Sequence, residues 1–115
     1  MSAHRKLILL TITVAAIAIA WFSWPAQPAA TIRVDSTGHA TLTTKHGTTT
    51  LPETVLVEGG TPAIIRFENI DTVAQRLGFF SVPAGSSREY TIEHPGTYSG
   101  YCTAHPAKRL TYIVQ

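Results

Sequence analysis

Sulfur is almost absent from this sequence. Its 115 residues include one cysteine, Cys102, and one methionine, the initiator. A single cysteine excludes a disulfide within the chain. In an oxidising compartment a lone thiol is damaged unless it is buried, paired with another chain or bound to a metal. Cys102 therefore needs an explanation if its domain lies outside the cytoplasm.

Signals for nucleic acid binding and for catalysis are missing as well. The net charge is +2, and the sequence has no basic stripe with interleaved aromatic residues, no glycine-rich phosphate loop and no internal repeat. It has no Ser/His/Asp arrangement, and Asp71 and Glu93 have no evident partner carboxylate. A cysteine and a histidine without an oxyanion hole do not make a hydrolase. We expect neither a nucleic acid partner nor an enzyme.

One long uncharged run is present near the N-terminus. Residues 7–24 carry no charge and follow a basic start with Arg5 and Lys6. As a helix this run spans roughly 27 Å, close to the ~30 Å hydrocarbon core of a bilayer. The basic residues favour a cytoplasmic N-terminus. A cleaved signal peptide is the alternative, but Gln27 and Pro28 spoil the pairs of small residues that its cleavage requires.

An uncleaved signal anchor is therefore the preferred interpretation. It divides the chain into a cytoplasmic N-terminus (1–6), a transmembrane helix (7–24), a linker (25–30) and one extracytoplasmic domain (31–115). We expect a single-pass protein of the cell membrane with its C-terminal domain on the periplasmic side. About 85 residues suffice for one small domain.

The part of the chain beyond the linker has the pattern of a β protein. No window of helical period exceeds one turn there, and Gly and Pro punctuate the sequence. Alternating or β-branched segments predict strands at 31–35, 40–45, 53–57, 62–70, 76–82, 87–93, 97–102 and 109–115, with turns at 36–39 and 46–50. Strands of this length and spacing predict an antiparallel sandwich or barrel. We expect Phe79 and Phe80 to face opposite sides of their strand, and Gly100 to leave room for a close neighbour.

The one cysteine belongs to the motif Cys102-x-x-His105. The strand 97–102 ends at Cys102, and the loop that follows carries His105. A thiolate at a strand end and an imidazole on the next loop can form two corners of a small metal site. Soft sulfur with borderline nitrogen favours copper or zinc over magnesium or calcium. The spacing alone is a weak signal, so the surrounding sequence decides how it is interpreted.

The segment EHPGTYSGYCTAHPAKRLTYIVQ resembles the C-terminal signature of the cupredoxins, the blue-copper family that includes plastocyanin and amicyanin. The stretch LPETVLVEGGTPAIIRFENIDTVAQRLGFF resembles the two strands, glycine turn and N-x-D loop of the same family, so the likeness covers residues 50–115. This resemblance implies an all-β, cupredoxin-like Greek-key β-sandwich of about seven to eight strands, preceded here by one N-terminal transmembrane helix. It also implies one copper ion, bound through Cys102 and His105.

Two of the ligands usual in that family have no equivalent here. The family's first histidine falls on Gln75, and no methionine follows His105. The amide oxygen of Gln75 is the best substitute, with the backbone carbonyl of Ala74 as a weaker donor. Leu110, if it faces the metal, would exclude water and raise the reduction potential. The expected metal ligands are thus Cys102 and His105, with Gln75 as a further candidate and with Ala74 and Leu110 lining the site.

The other histidines are less well placed. His94 precedes the strand that ends at Cys102, which puts it roughly 26 Å away at the opposite end. His39 and His46 lie in or beside early turns that the sequence does not position relative to the Cys102 loop.

Two functions from different classes follow. In the first, the membrane-anchored domain binds copper and transfers electrons or copper ions to a membrane or periplasmic partner protein. In the second, copper binding has been lost and the sandwich serves as a structural or accessory module of a membrane complex. Gln75 and Leu110 at the usual ligand positions favour the second function, whereas retention of an extracytoplasmic thiol favours the first.

Overall fold

The computed structural model describes residues 27–115. The predicted cytoplasmic N-terminus, the transmembrane helix and the first two linker residues lie outside the described residues. Within 27–115 no helix is long and apolar enough to cross a membrane.

The described residues form ten β-strands, more than the seven or eight predicted. In chain order they are β1 (Ala30–Val34), β2 (Ala40–Thr44), β3 (Gly47–Thr50), β4 (Thr54–Val57), β5 (Ala63–Asn69), β6 (Gln75–Leu77), β7 (Phe80–Val82), β8 (Ser86–Ile92), β9 (Gly96–Tyr101) and β10 (Arg109–Val114).

These strands make two main sheets and a hairpin. The first sheet has the order β3-β2-β1-β5-β8, the second has the order β4-β10-β9, and β6 pairs with β7. Two pairings are parallel, β1 with β5 and β10 with β4, and the others are antiparallel. The hairpin reaches the second sheet through a bridge between Leu77 and Cys102.

The alternation of the sequence decides which face of each strand is buried. In β5, Ile65 and Phe67 are fully buried while Arg66 and Glu68 lie on the outer face, as the period of two predicts. Buried residues of both main sheets belong to one hydrophobic cluster. The two sheets therefore pack as a sandwich around a shared core, which confirms the all-β prediction.

Two predictions about local structure were wrong. Residues 46–50, expected to be a turn, contain β3, whose backbone pairs with β2 although all four residues of β3 are exposed. The sequence did not predict β3, because an exposed, threonine-rich segment has no alternation of apolar and polar residues. The segment 76–82 is two short strands rather than one, because Gly78 adopts φ +71° and reverses the chain. Phe80 is nevertheless buried and Phe79 exposed, at 8% and 69% of their surface.

One close backbone approach holds the hairpin against the second sheet. A Cβ atom on Gly100 of β9 would lie 2.6 Å from the carbonyl carbon and oxygen of Gly78. The Gly78 N–H donates to the carbonyl of Tyr101 at 2.9 Å. Gly100 thus leaves room for a close neighbour, as predicted, and this contact brings β6 beside the Cys102 loop.

Candidate metal centre

The loop after β9 is closed by its own backbone. The Cys102 N–H donates to the carbonyl of Lys108 at 3.1 Å, and the Lys108 N–H donates to the carbonyl of His105 at 2.9 Å. Lys108 has φ +59°, a left-handed conformation that is uncommon outside glycine. The loop therefore presents Cys102 and His105 from a compact, hydrogen-bonded turn.

The Cys102 thiol lies in the interior of the domain. Its side chain has no exposed surface. Burial raises the pKa of the Cys102 thiol, because a low dielectric disfavours the thiolate. Hydrogen bonds from the backbone N–H groups of Ala104 and His105, and the positive charge of Lys108, act in the opposite direction on this pKa. The sulfur is thus shielded from solvent, and the net effect of its surroundings favours the protonated thiol.

The His105 side chain is half-buried in the same loop, three residues after Cys102. Its Nδ1 atom accepts a hydrogen bond from the Ala107 N–H at 3.0 Å. Within the described part of the chain, Nε2 has no hydrogen-bond partner. A metal could bind His105 through Nε2 without breaking a bond of the loop, or through Nδ1 by displacing the Ala107 N–H.

Gln75 lies next to the loop, at the start of β6, and is 6% exposed. Its Oε1 atom accepts a hydrogen bond from the Thr103 hydroxyl, and its Nε2 atom donates to Asp71 Oδ2 at 3.0 Å. Coordination through Oε1 would give up the Thr103 bond, at a cost of about 1 kcal/mol for an ordinary hydrogen bond. The side chain therefore connects two loops, and its role as a ligand stays a prediction.

The two predicted lining residues occupy different environments. Ala74 is exposed in the loop before β6. Leu110 is fully buried in β10, opposite Gly100 in the strand register and 3.5 Å from a Cβ built on Gly78. Leu110 is thus a residue of the hydrophobic core.

Sequence reasoning missed Lys108 and Asn69. Lys108 supplies the carbonyl that closes the loop and a positive charge that lowers the pKa of the thiol, and its Nζ atom donates to the Thr103 carbonyl at 3.3 Å. A signal for it was its place three residues after His105, in the stretch where the cupredoxins usually have methionine. The signal for Asn69 was its position at the head of the N-x-D loop.

Asn69 fixes the loop that leads to Gln75. It is 2% exposed, and its Nδ2 atom contacts the carbonyls of Val73 at 2.9 Å and of Val82 and Pro83 at 3.2 Å each. Its Oδ1 atom accepts the Asp71 N–H at 3.1 Å. One buried amide therefore connects the end of β5, the following loop and the end of β7.

A cleft of about 490 Å³ opens beside the Cys102 loop. One wall is the β1–β2 turn with His39, and the other is the loop with His105. The cleft is lined by Thr37, Gly38, His39, Ala40, Thr50, Leu51, Thr103, Ala104, His105, Pro106 and Lys108. The structure thus shows where His39 and His46 lie, which the sequence left open. His39 lies across the cleft from His105, whereas His46 lies at the other end of β2, 2.9 Å from Glu58.

The donors at this centre suit a soft ion of low coordination number. Within residues 27–115, no three His, Cys, Asp or Glu side chains lie close enough together to hold a metal ion. Cys102 and His105 provide one thiolate and one imidazole, a set that fits Cu(I), which accepts soft ligands. They do not by themselves make the three-ligand set of a blue-copper centre.

The solved structures to which this chain is similar include three cupredoxins. A purple cupredoxin from Nitrosopumilus maritimus is 21% identical, with a TM-score of 0.44, and the match covers 74% of this chain and 98% of that one. A mutant of amicyanin in its reduced Cu(I) form is 16% identical, with a TM-score of 0.49 and coverage of 79% and 86%. Amicyanin from Paracoccus versutus is 16% identical, with a TM-score of 0.48 and coverage of 81% and 86%.

No protein-family model matches the chain, and no curated protein matches it either. All three structural likenesses have TM-scores below 0.5 and identities below 25%, so they carry no argument about what this chain binds. What those proteins bind is a property of those proteins, and binding by this chain has to be argued from its own side chains.

Proposed function

We propose that this chain is a membrane-anchored, extracytoplasmic cupredoxin-like protein that binds one copper ion through Cys102 and His105. The observation that supports it best is the environment of Cys102. Its thiol is fully buried, the backbone N–H groups of Ala104 and His105 act to lower its pKa, and His105 follows three residues later with a half-buried side chain. A metal ion at this thiol would replace its proton and offset the cost that burial places on the thiolate.

These donors suit a protein that binds and passes on Cu(I) better than a protein that transfers electrons rapidly. Cu(I) is a soft ion that is satisfied by few ligands, whereas Cu(II) prefers more nitrogen and oxygen donors. Electron transfer requires a site that changes little between the two oxidation states. With Gln75 hydrogen-bonded to Asp71 and Thr103, the site holds two strong donors and favours Cu(I).

The proposed anchor explains how such a protein would meet its partner. Residues 7–24 would hold the domain at the membrane surface, with 1–6 in the cytoplasm and 31–115 on the periplasmic side. Confinement raises the effective concentration of membrane or periplasmic partners that donate or accept copper or electrons. No catalytic role is proposed for the domain.

The accessory-module function remains the second candidate, because two observations favour it. Gln75 is integrated into a hydrogen-bond network, and Leu110 is packed into the core. Both residues therefore have structural roles at positions where the family has ligands. In this case the sandwich would keep its frame without binding copper.

A competition titration separates the two functions. The full-length protein in detergent is titrated with Cu(I) against a chromophoric Cu(I) chelator, together with Cys102→Ser, His105→Ala and the control His94→Ala. We expect one equivalent of tightly bound Cu(I), which Cys102→Ser abolishes, His105→Ala weakens and His94→Ala leaves unchanged. If the parent protein binds none while Gln75→His binds Cu(II) with an intense visible band, the accessory-module function is correct.

A further inference from the structure

Three cations beside the loop that follows β9 have no negative partner in the described part of the chain. Arg76, Lys108 and Arg109 are exposed, and none of them forms an ion pair there. The first sheet differs in this respect, because Arg33 on its outer face is paired with Glu68 at 3.7 Å. The charge of the three cations is therefore available to a group from outside the domain.

The pairing of the strands brings two of these cations to one tyrosine. Arg109 is the register partner of Tyr101 in the antiparallel pair of β9 and β10, and partners of this kind face the same side of a sheet. The bridge between Leu77 and Cys102 sets β6 beside the end of β9. Both bridged residues are buried, so their neighbours Arg76 and Tyr101 face outward. Arg76 and Arg109 thus flank Tyr101 on the outer face.

A shallow depression of about 370 Å³ lies on this face. It is lined by Ser99, Gly100, Tyr101, Lys108 and Arg109, none of which is acidic. Tyr101 has 51% of its surface exposed, although it is one of the large apolar side chains of the domain. Tyrosine and arginine are the residue types that most often dominate the energy of a protein interface. We call Arg76, Tyr101, Lys108 and Arg109 together the basic surface.

The basic surface is a local feature, because the domain as a whole is not basic. The chain has nine Lys and Arg residues, of which Arg5 and Lys6 precede residue 27, and seven Asp and Glu residues, which all follow it. The side chains of the described domain therefore carry no net charge when its histidines are neutral. A cluster of one sign on a neutral domain attracts groups of the opposite sign to that place.

The basic surface lies away from the point where the chain enters the domain. Pro28 shares a cleft with Leu56, and Leu56 is the register partner of Ile113. Arg109 comes four residues earlier in β10, which puts it roughly 13 Å from that level of the strand. This exceeds the ~8 Å over which charges act at physiological salt. With the proposed anchor at residues 7–24, a protein is therefore a better partner for this surface than the lipid headgroups.

We propose that the basic surface docks an acidic segment of a partner protein, with carboxylates opposite its cations and an apolar side chain against Tyr101. An arginine can bind a carboxylate through two parallel hydrogen bonds, and an exposed tyrosine ring offers a large contact area. This inference goes beyond the proposed function, because docking requires no metal at Cys102. It also places the partner next to the loop that carries the proposed copper ligands.

A synthetic peptide of glutamate residues around one phenylalanine is the probe. Copper-free full-length protein in phosphatidylcholine nanodiscs is titrated with the fluorescently labelled peptide, and anisotropy gives the Kd. A peptide with lysine in place of glutamate is its control. Arg88→Ala is the matched control variant, since Arg88 is an exposed arginine of the first sheet without an ion pair in the described part of the chain.

We expect saturable binding of the acidic peptide that weakens as salt is added. Arg76→Ala and Arg109→Ala should each raise the Kd by up to about fivefold, the loss that corresponds to one exposed ion pair. Tyr101→Ala should raise it by at least about fivefold, as truncation of an interface tyrosine does. Arg88→Ala should leave it unchanged.

Three results would overturn the inference. They are no saturable binding, equal binding of the lysine peptide, and an equal loss in Arg88→Ala and the two variants of the basic surface. Vesicles of phosphatidylcholine and phosphatidylserine are then added as a competitor. Displacement of the peptide by these vesicles would identify a lipid surface as the occupant and would also overturn it. Because docking is measured without copper, its failure leaves copper binding at Cys102 and His105 untouched.

Discussion

Asn69 should be the polar residue on which this end of the sandwich depends most. Its amide donates to carbonyls of the loop and of β7, and it accepts the Asp71 N–H. Asn69→Ala removes about two donated bonds and one accepted bond, each worth about 1 kcal/mol net. The expected loss is therefore about 3 kcal/mol in the free energy of unfolding. For a domain of this size that lowers Tm by about 12–24 °C.

The charge-changing variant Asn69→Asp sharpens the prediction. It keeps an oxygen for the Asp71 N–H but directs a second oxygen at carbonyls that need a donor. Burial among carbonyl oxygens should raise the pKa of the introduced carboxyl above its unfolded value. The folded state then binds the proton more tightly, so the stability of this variant rises as the pH falls through the folded pKa.

Thermal unfolding followed by circular dichroism between pH 4 and 8 tests this reasoning. We expect Asn69→Asp to be less stable than Asn69→Ala at pH 8 and to recover relative to it at pH 4. Equal Tm values for the parent protein and Asn69→Ala would refute the view that this amide joins the loop to β7. A difference between the two variants that does not change with pH would refute the carboxyl argument.

Three further predictions concern packing, a buried hydroxyl and a carboxyl pKa. Gly100→Ala should lower the free energy of unfolding by more than about 1–3 kcal/mol, because the added Cβ would lie 2.6 Å from the backbone of Gly78. An unchanged free energy of unfolding in chemical denaturation would contradict this prediction. Tyr112→Phe should cost about 1–3 kcal/mol in the same assay, since its hydroxyl donates to a buried backbone carbonyl at 2.8 Å. The pKa of Asp35 should lie below its ordinary value, chiefly because the Thr37 hydroxyl donates to it. Its depressed pKa contributes stability above the unfolded pKa that is lost as pH falls, and Thr37→Val should raise that pKa in a carbon-detected NMR titration.

The sequence predicted those strands in which buried and exposed side chains alternate. β5 and β10 follow this rule, because burial on one face leaves a period of two in the residues. β3 was missed because its pairing with β2 is made by the backbone, which leaves no pattern in exposed side chains. The hairpin at Gly78 was predicted as one strand because Leu77 before the turn and Phe80 after it extend the apolar pattern.

The candidate site shows the same limit. Cys102 and His105 are neighbours in the sequence, so their motif could be found without a structure. Gln75 contacts Thr103, and His39 lines the same cleft as His105, although these residues are far apart in the chain. Such contacts depend on how the sheets pack, and no local pattern predicts them.

X-ray absorption at the copper edge tests the central claim most directly. The full-length protein is loaded with one equivalent of Cu(I), and the scattering shell nearest the metal is analysed for sulfur and nitrogen. We predict one sulfur and at least one imidazole nitrogen in the parent protein, and no protein-bound copper in Cys102→Ser. A shell without sulfur in the parent protein would contradict copper binding at Cys102.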